Sequence, residues 1–164
     1  MLRRALSRMS PAFTLTYASH PGFPQSASPS ALAPVAVLDS SFNPPHLAHL
    51  ALALHHPSPA TLLVLSTKNV DKVPKLGEPT PDDKLEMMHA MSEDLEQRGI
   101  ANVGVARIDE PTFVGKSKVL RAGLEARLPK GESVRLSFLL GASSFSMLSV
   151  GLTGGGRGLQ AGTL

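Results

Sequence analysis

From Val35 to about Gly141 the chain alternates short apolar runs with apolar residues at helical spacing. Val35-Ala36-Val37-Leu38 and Thr61-Leu62-Leu63-Val64-Leu65-Ser66 are unbroken runs of the kind found in strands buried on both faces. Between them, Leu50 to Leu54 reads as a short helix. Thr80-Pro81-Asp82-Asp83 is a helix start: Thr80 caps, Pro81 suits the first helical position, and two acids sit at the positive end of the helix dipole. Leu85, Met88, Met91 and Leu95 follow on one stripe, and Arg98 with Gly99 ends it. Ala101 to Ile108 is a weaker strand. Lys116 to Leu128 is helical, with Val119, Leu120, Leu124 and Leu128 facing inward, and Val134 to Leu140 is a strand. The order β-α-β-α-β-α-β predicts an α/β fold, a parallel sheet with helices on both faces.

The flanks differ from this body. Residues 1–34 hold Arg3, Arg4 and Arg8, much Ser and Pro, and no acid. That composition reads as a disordered arm or as an organelle transit peptide, and Pro21, Pro24, Pro29 and Pro34 favour the arm. Residues 142–164 hold six of the fourteen glycines and a single charge, Arg157. This stretch reads as an irregular Gly/Ser-rich tail, since Gly154-Gly155-Gly156 lacks the lysine and hydroxyl of a phosphate-binding P-loop. The expected division is therefore 1–34, 35–141 and 142–164.

Composition narrows the function. With 164 residues there is room for one domain and a modest tail. No cysteine is present, which removes disulfides, cysteine zinc sites and thiol nucleophiles. No apolar stretch is long enough to span a bilayer, so the chain reads as soluble with no membrane partner. The net charge of +3 comes from the three leader arginines, and the rest of the chain is balanced. A neutral body with one tyrosine and no tryptophan is poorly equipped to neutralise phosphates along a nucleic acid or to stack on its bases.

Candidate chemistry lies directly after the first strand, in Asp39-Ser40-Ser41-Phe42-Asn43-Pro44-Pro45-His46-Leu47-Ala48-His49. A strand, a tight turn and a helix start bring backbone N–H groups to the carboxyl edge of the sheet, where open α/β sheets bind ligands and helix ends favour anions. His46 and His49 are three apart, so both imidazoles face one side, as suits a polyphosphate. The same pair also fits capping or core histidines. A metal site is less well supplied, because neither Asp39 nor His55 completes a ligand set. His55 and His56 read as solvated residues at a helix end.

The run Ser41-Phe42-Asn43-Pro44-Pro45-His46-Leu47-Ala48-His49 resembles the HxGH nucleotidyltransferase signature. Together with Leu38-Asp39-Ser40 and with Leu65-Ser66-Thr67-Lys68-Asn69-Val70-Asp71-Lys72, it is similar to nicotinamide mononucleotide adenylyltransferases of a fungal-type branch. The resemblance covers about Val35 to Gly141. It implies a Rossmann-like sheet with strand order 3-2-1-4-5 and transfer of AMP from ATP, with Mg²⁺, to nicotinamide mononucleotide, giving NAD and pyrophosphate. It implies that Ser40, Ser41, Phe42 and Asn43 line the nucleotide site and that His46 and His49 contact the phosphates. Lys72 would approach the phosphates or the mononucleotide, although a solvated loop lysine explains it equally well. A cytoplasmic or nuclear location follows, or a mitochondrial one through the leader.

Three departures stand out. Ser40 and Ala48 replace glycines usual in the family, and Ala142-Ser143 follow Gly141 where a G-x-D element is usual. A later phosphate-binding S-T-S-R-type segment is also missing, so the expected domain is incomplete on its C-terminal side, with Val134 to Leu140 at a sheet edge. The alternative function is a noncatalytic or degenerate nucleotide-binding module of the same fold.

Overall fold

The computed structural model describes residues 12–25, 32–56, 58–67 and 77–140. The elements are β1 (Phe13–Ala18), β2 (Leu32–Ser40), α1 (Leu47–His55), β3 (Ala60–Ser66), α2 (Pro81–Gln97), β4 (Val103–Ile108), α3 (Phe113–Glu125) and β5 (Ser133–Phe138). The five strands form one sheet in the order β1-β4-β3-β2-β5. β2, β3, β4 and β5 are parallel, whereas β1 runs antiparallel to β4, with Phe13 opposite Ile108 and a bulge between Leu15 and Tyr17. The sheet is therefore mixed, and its parallel part has the order implied by the resemblance as far as β5. No helix among the described residues is long and apolar enough to cross a membrane.

Strand alternation separates two cores. Even positions of β2, Ala36 and Leu38, pack with Leu63, Leu65, Val103 and Val105 under α1 and α2, which contribute Ala53, Leu85, Met88, Met91 and Leu95. Odd positions, Val35 and Val37, pack with Leu62, Val64, Ala106 and Ile108 under α3, which contributes Leu120 and Leu124. The helices begin where capping chemistry puts them. Thr80 accepts from the Asp83 N–H while the Asp83 carboxylate accepts from the Thr80 N–H, and Thr112 caps α3 by accepting from the Gly115 N–H. Thr112, rather than Lys116, marks the start of α3.

The reading of 1–34 as an arm is corrected for residues 12–25 and 32–34. Phe13-Thr14-Leu15-Thr16-Tyr17 pairs with β4 as an edge strand. Phe23 is fully buried in the second core. The Arg127 guanidinium donates to the Phe23 carbonyl at 3.0 Å, and the Tyr17 hydroxyl donates to Glu96 on α2 at 2.7 Å. Gly104 leaves the room Phe23 occupies: a Cβ there would lie 2.7 Å from the ring. The apolar area gained by burying Phe23 and half-burying Phe13 outweighs a proline-rich composition. Residues 1–11 and the 142–164 tail lie outside the described residues.

Candidate functional site

The crossovers from β2 to β3 and from β3 to β4 run in one direction across the sheet, and β5 then pairs on the other side of β2. The order reverses between β2 and β5, and the carboxyl ends of these strands flank the crevice where doubly wound sheets bind ligands. The last two residues of β2 point to opposite layers. Ser40, on the α1 side, has its Oγ 2.8 Å from His49 Nε2. Asp39, on the α3 side, takes the Lys116 ammonium at 2.7 Å on Oδ2 and the Ser66 hydroxyl at 2.8 Å on Oδ1.

The loop between β2 and α1 is fixed by its hydrophobic residue. Phe42 is fully buried in the first core and holds φ at +41°, a left-handed conformation that costs energy outside glycine. Packing of its ring secures that turn, and the ring lies against His49 with centroids 4.8 Å apart. Asn43 donates from Nδ2 to Glu78 at 2.9 Å, on an oxygen that also accepts from Lys84, tying the loop to the approach to α2. His46 is the N-cap residue of α1, and its ring stacks on that of His49 with centroids 3.8 Å apart.

This geometry sets the protonation of His49. The His46 backbone N–H donates to His49 Nδ1 at 3.2 Å, and a nitrogen that accepts carries no proton. The neutral ring therefore bears its proton on Nε2 and donates to Ser40 Oγ, which keeps its own O–H to give away. Burial, and secondarily the neighbouring His46, lowers the His49 pKa below its ordinary value and so favours this neutral form. The Ser40–His49 contact has the spacing of a nucleophile and base, but the tautomer is the reverse of what a base needs: Nε2 has no lone pair to take the serine proton. The arrangement presents hydrogen-bond donors to an anion instead.

The structure brings Ser40, Ser41, Phe42, Asn43, His46 and His49 together in one loop and helix start. Ser40 uses its side chain on His49, and Asn43 is directed to Glu78. Lys72 lies outside the described residues. The sequence reading missed the Asp39–Lys116–Ser66 cluster, although a signal was present. Lys116, Leu120 and Leu124 are spaced by four along α3, and all three are buried on its inner face. No group of three or more His, Asp or Glu side chains that could hold a metal occurs among the described residues.

A groove of about 530 Å³ lies beside the loop on the helical face. Its walls are apolar, from Pro44, Pro45, Leu47 and Leu50 on one side and Met87 and Met91 of α2 on the other, with His46 at its border. The rim carboxylate, Asp94, is engaged by Arg98 at 2.9 Å. Convergent polar groups are at the strand ends, not in this groove, so the crevice is the candidate for chemistry.

Fold and site define an α/β protein with a histidine-bearing loop at the point where its strand order reverses. Over 40 residues the chain is 58% identical to a Schizosaccharomyces pombe protein named "Putative nicotinamide mononucleotide adenylyltransferase", a stretch that takes in 24% of this chain and 16% of that protein. No family model matches the chain, and no solved structure matches it.

Proposed function

We propose that the chain is a nucleotidyltransferase that binds the phosphates of ATP at the β2–α1 loop and transfers AMP to nicotinamide mononucleotide. The observation that carries this reading is the position of His46 and His49: ring against ring, at the start of a helix, at the carboxyl end of the strand beside the switch point. The short stretch of high identity to the fission yeast protein supports the same class.

In the proposed reaction a phosphate oxygen of nicotinamide mononucleotide attacks the α-phosphorus of ATP. The bond from that phosphorus to the β-phosphate bridging oxygen breaks, giving NAD and pyrophosphate. The protein need form no covalent bond, so its work is to align two anions and stabilise charge as it develops. The His46 ring, the Ser40 hydroxyl and the first-turn N–H groups of Leu47 and Ala48 would supply donors, and His49 holds Ser40 and the loop in register. Mg²⁺ would enter with the nucleotide and offset the charge of its phosphates.

Pyrophosphate release and NAD formation by the full chain, with ATP, Mg²⁺ and nicotinamide mononucleotide, test this directly. Turnover is expected, and His49→Ala is expected to lower it by about 10²–10³, the usual effect of losing one preorganised donor, because the Ser40 hydroxyl is then no longer held in place. Saturable ATP binding without product from ATP and nicotinamide mononucleotide would instead establish the noncatalytic nucleotide-binding module.

A further inference from the structure

We propose that Lys116 is a second arm of the crevice, holding the phosphate chain of a nucleotide from the α3 layer while the loop that carries Ser40 and the histidine pair holds it from the α1 layer. The inference rests on the nucleotide reading above and extends it to a residue that neither the loop motif nor the resemblance points to.

The placement follows from strand parity. Successive side chains of β2 leave opposite faces of the sheet, so Ser40 meets His49 on α1 and Asp39 meets Lys116 on α3. An anion above the carboxyl end of β2 therefore has the histidines on one flank and the Lys116 ammonium on the other. The two flanks differ in kind: the α1 side offers hydrogen-bond donors, the His46 ring and the Ser40 hydroxyl that His49 orients, whereas the lysine offers a full charge.

Stability alone is a weak reason for this lysine. It sits on the buried stripe of α3 above Leu120 and Leu124, where an apolar side chain of similar length would pack. A buried ion pair is often no more stabilising than apolar residues of equal volume, because both charges must leave water. Nor is Lys116 needed to complete the helix end, where Thr112 accepts from the Gly115 N–H and Glu110 accepts from the Thr112 N–H and hydroxyl. An ammonium has three donors, and Asp39 engages one of them at 2.7 Å. Asp39 is also held by the Ser66 hydroxyl. Lys116 can therefore turn a second N–H to a phosphate without abandoning its carboxylate.

The test is calorimetric titration of the full chain with ATP and with AMP, both with Mg²⁺, comparing native protein with Lys116→Gln, Lys116→Arg and His49→Ala. A lysine that binds the phosphate chain should lower the preference for ATP over AMP about tenfold when replaced by glutamine, the size of one charge-assisted hydrogen bond, and Lys116→Arg should restore most of it. If Lys116→Gln does not fold, Asp39→Asn with Lys116→Met removes both charges of the pair together and is expected to show the same loss of preference. A folded variant with unchanged ATP binding, or with ATP and AMP weakened equally, would overturn the proposal and leave Lys116 as a structural ion pair. Native protein that binds neither nucleotide, or binding indifferent to His49→Ala, would overturn the nucleotide reading itself.

Discussion

His49 is where sequence, packing and chemistry meet most closely. It is 8% exposed, in tilted ring contact with Phe42 and His46, and bonded through both ring nitrogens. Its pKa in the folded chain lies below the ordinary 6.5, first because burial penalises the charged ring and then because His46 is adjacent. The unfolded chain therefore takes up this proton first as pH falls. Stability should drop between 6.5 and the folded value, and level off below the latter. Thermal melts from about pH 7.5 to about pH 5 should show this slope, and His49→Gln should flatten it. An equal slope in the variant would mean that His49 is not held neutral by the fold. The bond between Ser40 and His49 could not be read from the sequence, because it depends on which face residue 40 takes and on how α1 is rotated. The pairing of His46 with His49 could be read, because spacing of three on a helix fixes it.

At the scale of elements, the parts of the fold that were legible are those with strong local chemistry. The Thr80-Pro81-Asp82-Asp83 start of α2 and the apolar runs of β2 and β3 are where their residues predicted. The start of α3 was placed late, since Thr112 caps it without an acidic first turn to announce it. β1 was missed for a different reason. Its alternation of Phe13, Leu15 and Tyr17 with threonines is a strand signal, but the surrounding Ser, Pro and Arg suggested an arm. That strand packs Phe13, Leu15 and Ala18 against the second core, the turn after it buries Phe23 there, and Gly104 makes room for the Phe23 ring. Gly104→Ala should therefore destabilise the chain by about 1–3 kcal/mol through overpacking, and Phe23→Leu in the same chain should recover part of the loss. Urea unfolding of the two variants measures it. A neutral Gly104→Ala would show that residues 12–25 do not pack on β4 as described.

For the whole molecule, the organising feature is that two helical layers meet at the end of one strand. β2 delivers Ser40 to α1 and Asp39 to α3, beside the point where the strand order reverses between β2 and β5. The fold class was legible because repeated strand–helix alternation leaves few topologies. The cluster on the α3 side was not, because Asp39 and Lys116 are 77 residues apart and only the folded sheet brings them together. The proposed ATP site at this loop brings these features into one measurement. The chain has six histidines, and the ring resonances of His46 and His49 can be followed by nuclear magnetic resonance while ATP and Mg²⁺ are added, with His49→Gln providing assignment. The expected result is that these two rings shift and that the titration midpoint of His49 rises, because an adjacent phosphate favours its charged form, while His20, His55, His56 and His89 stay as they were. A folded chain in saturating ATP whose His46 and His49 resonances do not move would contradict a phosphate site at this loop.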